Sequence, residues 1–205
     1  MTDRFHYPAD REQQSAARAE ALERLLIKKG IITSETVDKV LGFFETRMGP
    51  FNGARLVARA WVDPGFKARL IADTPAAIAE LDFPDGMAGA EGEHMKAVSN
   101  EPGLHNLIIC TLCSCYPWPV LGLPPYWYKD PAFRARAARE PRKVLEEFGL
   151  PLDPSVEIKV WDSSAQIRWF VVPERPKGTD ALTEEQLAAL VTPESMMGVA
   201  VATAA

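Results

Sequence analysis

The chain has 205 residues, 47% hydrophobic and 25% charged, with a formal net charge of −5. That is enough for one ordinary domain, or a domain plus an arm, around a sizeable core. The acidic balance excludes nucleic acid as the main partner, because phosphate binding needs a surplus of Lys and Arg. The longest apolar runs, such as LIIC at 107–110, fall far short of a membrane span. The opening MTDRFHYPADRE is polar and lacks the apolar stretch of a secretory signal, so a cytoplasmic chain is expected. There are 17 prolines, above the usual ~5%, which predicts irregular but fixed loops.

The apolar spacing predicts a helix over 10–29, with Ala21, Leu22, Leu25 and Leu26 on one stripe and Gly30 as its stop. A second helix is expected from Ser34, with Glu35 in its first turn, through Val37, Val40, Leu41 and Phe44 to Gly49-Pro50. Asp63-Pro64 reads as a cap followed by proline at the first helical position, and Thr74-Pro75 repeats that grammar. Apolar stripes on helices joined by short loops suggest an arm that needs a partner surface. From residue 94 the pattern changes, and 94–99 and 104–109 read as strands, the second delivering Cys110 at its end. The proline-rich, aromatic stretch 116–131 predicts no regular element. Helices are expected at 131–139 and 141–148, and a pair of strands at 156–161 and 167–172. Thr183-x-x-Gln186 is a capping box opening a last helix, before a frayed tail. The expected fold class is α+β, divided into a helical arm (1–60), a metal-binding domain (61–195) and a C-terminal tail (196–205).

Three histidines, His6, His94 and His105, are too scattered to form a metal cluster. The three cysteines instead fall within six residues, as Cys110-Thr111-Leu112-Cys113-Ser114-Cys115. An odd count argues against a disulfide framework and for a metal or reactive thiols. The Cys115 sulfur and its own amide nitrogen can close a five-membered chelate ring. The Ser114 and Cys115 nitrogens close a second, and the Cys113 sulfur with the Ser114 nitrogen closes a six-membered one. Two sulfurs and two amide nitrogens thus make a near-planar set, with Cys110 free to turn to the axial position. Amide nitrogens bind only when deprotonated, so the donor set favours trivalent iron or cobalt over zinc. Held thiolates can also be oxidised to sulfenic and sulfinic acids. Three alternatives stay open on spacing alone: a structural zinc site completed by His94 or His105, three buried inert cysteines, and a redox dithiol. A zinc-stabilised interaction module without catalysis is the functional counterpart of the first.

The segment ICTLCSCYPWP at 109–119, continuing as LGLPPYWYK at 121–129, resembles the metal-binding segment of the nitrile hydratase α-subunit family. The likeness extends through ARAEALERLLIKKG at 17–30, GARLVARAWVDPGFKARLIAD at 53–73, REPRKVLEEFG at 139–149, EIKVWDSS at 157–164 and PERPKGTD at 173–180. The metal-bearing subunit of thiocyanate hydrolase shares the cysteine motif and is the second reading. The resemblance implies Cys110, Cys113 and Cys115 as thiolate ligands and Ser114 and Cys115 as amide-nitrogen ligands. It implies sulfinic acid at Cys113 and sulfenic acid at Cys115. Threonine at the second motif position accompanies cobalt in the family and serine accompanies iron, so Thr111 implies non-corrin Co(III), with Fe(III) the second choice. The implied fold is a helical arm followed by a layered α-β-β-α domain. The implied partner is a β subunit, in an αβ heterodimer that can pair to α2β2 and that contributes two arginines to the oxidised sulfurs.

The implied reaction is hydration of a nitrile to an amide, with the nucleophile left open between hydroxide on the metal, a water and the Cys115 sulfenate oxygen. Tyr116 and Trp118 are candidate walls of the substrate pocket. Asp162 is expected just behind the ligands, together with Thr111. Two positions depart from the family: Glu91 stands where glutamine is usual, and Gln166 where glutamate is usual. Either the exchanges are unrelated, or Glu91 and Gln166 share one hydrogen-bond network near the metal. Glutamate and glutamine have nearly the same shape, so such a pair would move one charge without altering geometry.

Overall fold

The structure is a computed structural model that describes residues 9–46, 48–81, 83, 94–112 and 115–204. Five helices come first: α1 (Ala9–Lys28), α2 (Ser34–Thr46), α3 (Pro50–Val62), α4 (Pro64–Ala72) and α5 (Thr74–Ala79). Strands β1 (Met95–Ser99) and β2 (Leu104–Ile109) follow, then α6 (Trp118–Leu121), α7 (Tyr126–Lys129), α8 (Pro131–Arg139) and α9 (Pro141–Glu147). The chain closes with β3 (Glu157–Asp162), β4 (Arg168–Val172), α10 (Glu184–Ala188) and α11 (Pro193–Met197). This is an α+β chain.

Local chemistry accounts for most helix starts. The Asp63 carboxylate accepts the Phe66 N–H at 2.9 Å and Pro64 opens α4, so a donor without a helical partner is satisfied and φ is preset. The cap of α5 is Asp73, not Thr74. Thr74 is buried in the first turn, where its hydroxyl donates to Leu70 O at 2.7 Å and accepts Ala97 N–H at 2.8 Å. It therefore fastens the α4–α5 corner to β1. The Thr183–Gln186 capping box is present on α10. A second box, Thr192 with Ser195, opens α11, a helix the sequence reading does not contain.

The strand pairing differs from expectation. β3 and β4 do not pair with each other: β1 pairs with β4 and β2 with β3, both parallel. Ile109 faces Asp162 at one end of the second ribbon. Beyond it the Ser163 N–H donates to Ile109 O at 2.7 Å, and Ser164 N–H closes a turn onto Ile167 O at 2.7 Å. That turn carries the chain across to the first ribbon, so a hairpin is excluded.

Helix α3 straddles residue 60 and lies in the core, with Leu56 and Val57 fully buried. Its Asn52 amide donates to Pro119 O at 3.0 Å. A Cβ on Gly53 would stand 2.3 Å from Val120 O, so only glycine lets α3 approach α6 this closely. The stretch 116–131, expected to lack regular structure, contains α6 and α7. Both are single turns with proline at or before their first turn, where its missing N–H costs nothing. The end of the chain is not frayed: Met196, Met197 and Val199 are buried. Gly198 has φ +82°, and a Cβ there would come within 1.9 Å of Asn106 O. Gly198→Ala should therefore lower stability by at least about 2–3 kcal/mol, combining left-handed strain with a backbone overlap. Denaturant unfolding reads it, and an unchanged midpoint would contradict the packing described.

The arm helices behave differently. On α1 and α2, Leu22, Leu25, Val40 and Leu41 are each about half exposed or more, an apolar surface lying outside the core. Among the described residues, no helix is long and apolar enough to cross a membrane.

Candidate metal centre

Strand β2 ends at Ile109 and places Cys110, fully buried, at the mouth of the cysteine loop. Because β3 lies in register beside β2, its last residue, Asp162, reaches the same point. One Asp162 carboxylate oxygen accepts the Thr111 N–H at 2.9 Å, and the other accepts the Thr111 hydroxyl. Thr111 is thus gripped by backbone and side chain together. The geometry of Asp162 is fixed by sheet register rather than by the loop itself.

At the other end of the loop, Cys115 is half-buried and its carbonyl accepts the Tyr128 hydroxyl at 2.8 Å. Within the loop, Leu112 is 84% exposed. Cys113 and Ser114 lie outside the described residues, as does Glu91. Gln166 is exposed in the β3–β4 turn, where its side-chain oxygen accepts the Ser164 hydroxyl at 3.3 Å. Asp162 and Thr111 are therefore brought together at the loop, while Gln166 is engaged in its own turn.

Of the two aromatics expected at the pocket, Trp118 stands partly exposed with its ring 5.8 Å from that of Phe44 on α2. Tyr116 is only 1% exposed, packs edge-on to Tyr128 at 5.0 Å, and points its hydroxyl at the Met197 sulfur, 3.4 Å away. That is the setting of a core residue. Burial pushes both the Tyr116 and the Tyr128 phenols well above their ordinary range, so both are neutral donors. Tyr128 and Ser163, which hold the loop ends, were not among the expected site residues. The ring of Tyr128 reads as core in sequence, and only the hydrogen bond reveals its second role.

The donor chemistry fits a sulfur and amide-nitrogen set. Asp162, the carboxylate nearest in register, is engaged with Thr111 rather than offered to an ion. His105 cannot complete a zinc site as it stands. Its Nε2 donates to Gly198 O at 2.7 Å, and its Nδ1 accepts the Asn100 amide at 3.3 Å. Burial holds its pKa below the ordinary histidine value, so the neutral tautomer persists. A loop that carries three cysteines and is tethered at both ends, with Asp162 and His105 engaged elsewhere, would suit a soft-donor metal held partly by backbone.

The α+β scaffold thus carries the cysteine loop between the end of β2 and α7. A family profile described as "Nitrile hydratase, alpha chain" matches residues 13–200. The low-molecular weight cobalt-containing nitrile hydratase subunit alpha of Rhodococcus rhodochrous is 53% identical over 191 residues, covering 93% of this chain and 90% of that protein. Thiocyanate hydrolase subunit gamma of Thiobacillus thioparus is 41% identical over 188 residues, covering 88% and 77%. Among solved structures, a double mutant of the Fe-type nitrile hydratase from Comamonas testosteroni Ni1 superimposes with a TM-score of 0.80 at 40% identity, covering 97% of this chain and 93% of that one. The chain belongs to the nitrile hydratase α-chain family.

Proposed function

We propose that this chain is the metal-bearing α subunit of a nitrile hydratase, which adds water to a nitrile to give an amide. The observation that carries the reading is 53% identity, along nearly the whole chain, to a cobalt-containing nitrile hydratase subunit. Cys110, Cys113 and Cys115 hold non-corrin Co(III) through sulfur, and Ser114 and Cys115 hold it through backbone nitrogen. Cys113 carries a sulfinic and Cys115 a sulfenic acid. When bound, the trivalent ion supplies Lewis acidity at a position open to substrate. Thr111, gripped by Asp162, holds the loop one residue after Cys110. Cys115 carries the reactive sulfur, and Trp118 lines the near wall of the pocket.

A β subunit completes the site and covers the apolar surface of the arm in an αβ heterodimer, able to pair to α2β2, in the cytoplasm. The exposed leucines on α1 and α2 and the exposed Leu112 support this arrangement. A second reading, the metal-bearing subunit of a thiocyanate hydrolase, is supported by the 41% relative. The nitrile reading is preferred because its relative is more similar and matches over more of its own length. The test is turnover by the purified complex with its β subunit. Amide formation from acrylonitrile, with no hydrolysis of thiocyanate, is expected. Thiocyanate hydrolysis without amide formation would reverse the assignment.

A further inference from the structure

The two ends of the cysteine loop are tied from outside it, the upstream end by the segment after β3 and the downstream end by α7. Upstream, the Ser163 N–H holds Ile109 O at 2.7 Å, one residue before Cys110. Downstream, the Tyr128 hydroxyl holds Cys115 O at 2.8 Å. The Ser163 side chain stands beside the Tyr128 phenol, and its Oγ accepts the Trp169 N–H at 3.2 Å.

Tyr128 is fully buried, with its ring edge-on to Tyr116 at 5.0 Å and to Trp127 at 6.2 Å. A phenylalanine would make the same ring contacts. The hydroxyl adds the bond to Cys115 O, and in a dry site such a bond is costly to leave unmade. We infer that Tyr128 is a positioning residue that fixes the Cys115 peptide and thereby aims the Cys115 sulfur. The inference rests on the cobalt centre proposed above. The Cys115 Cα carries an amide nitrogen, a carbonyl carbon and Cβ. With the nitrogen in the chelate and the carbonyl pinned by Tyr128, one direction remains for Cβ. Releasing the carbonyl lets the chelate ring repucker and the cobalt–sulfur overlap change.

The test uses the cobalt-loaded complex with its β subunit. Tyr128→Phe removes the hydroxyl and keeps the ring; Ser163→Ala removes the hydroxyl that stands beside the phenol. The expected result for Tyr128→Phe is a displaced sulfur-to-cobalt charge-transfer absorption band and faster loss of cobalt to EDTA, by roughly 2- to 10-fold, the range one net hydrogen bond supports. Ser163→Ala should move both readouts the same way by less, and it carries the test should the phenylalanine variant fail to assemble. Tyr126→Phe is the control, since its hydroxyl lies 3.4 Å from the carboxylate of Asp130, the residue that ends α7. It should leave band and release unchanged. A packing role alone would lower Tm while leaving band and release rate as in the wild type, and that result would overturn the inference. A wild-type complex with no cobalt–sulfur band would overturn the metal centre itself. A wild-type band reproduced by both variants would overturn only the positioning role.

Discussion

Cys115→Ser in the assembled protein should lose cobalt and hydration activity together, by more than the roughly 10–100-fold typical of removing a partner behind a metal ligand. Serine replaces a soft thiolate with a hydroxyl that stays protonated near neutral pH and suits this donor set poorly. It also removes the only sulfur at that position able to form a sulfenic acid. The loop backbone should keep its place, because the Tyr128 bond is made to the carbonyl and not to the side chain. The loss would therefore report the donor and not a collapsed loop. Cys110→Ser should fail for a further reason, since Cys110 is fully buried at the end of β2 and a hydroxyl there needs a partner the thiol did not. Cobalt per chain by elemental analysis and nitrile turnover check both. A Cys115→Ser complex with full cobalt and full activity would remove Cys115 from the centre.

Asp162→Ala is expected to have the next largest effect, a fall of roughly 10–100-fold in cobalt affinity or activity. One carboxylate holds Thr111 twice, through its N–H at 2.9 Å and through its hydroxyl. Removing it frees the loop one residue after Cys110, whose sulfur would hold the metal. Asp162 and Thr111 are exposed, so water can satisfy the released groups and global stability should change little. That separation is the useful part: cobalt retention should fall while Tm moves by only a few degrees. Asp162→Asn keeps an acceptor oxygen and should lie between the alanine variant and the wild type. Equal cobalt retention in all three proteins would contradict a holding role for Asp162.

What could be read from sequence follows the range of the forces involved. Asp63-Pro64 and Thr183-x-x-Gln186 are visible because a cap is made within three residues. The pairing of β1 with β4 is not, because the partners lie about seventy positions apart and alternation looks the same against any neighbour. The single turns around Trp118 and Tyr126 were hidden by a rule for helix interiors that does not apply to a four-residue helix. Thr192-Pro193 repeats the cap-and-proline pattern, but with serine in place of glutamate or glutamine at the third position, and the box on α11 passed as tail. The spacing of Cys110, Cys113 and Cys115 suggests a chelate, whereas the anchors of the loop leave no mark in the sequence. Tyr128 offers a ring that reads as core, and Ser163 offers a hydroxyl that reads as surface. Only sheet register and a folded corner bring them to the loop.

The central claim is that this chain holds Co(III) on oxidised cysteines, and one sample tests it. The complex is purified with its β subunit, its metals are quantified, and the peptide containing residues 110–115 is weighed by mass spectrometry. The account predicts about one cobalt per chain, with two added oxygens on Cys113 and one on Cys115. Zinc bound to a peptide with three unmodified thiols would contradict it.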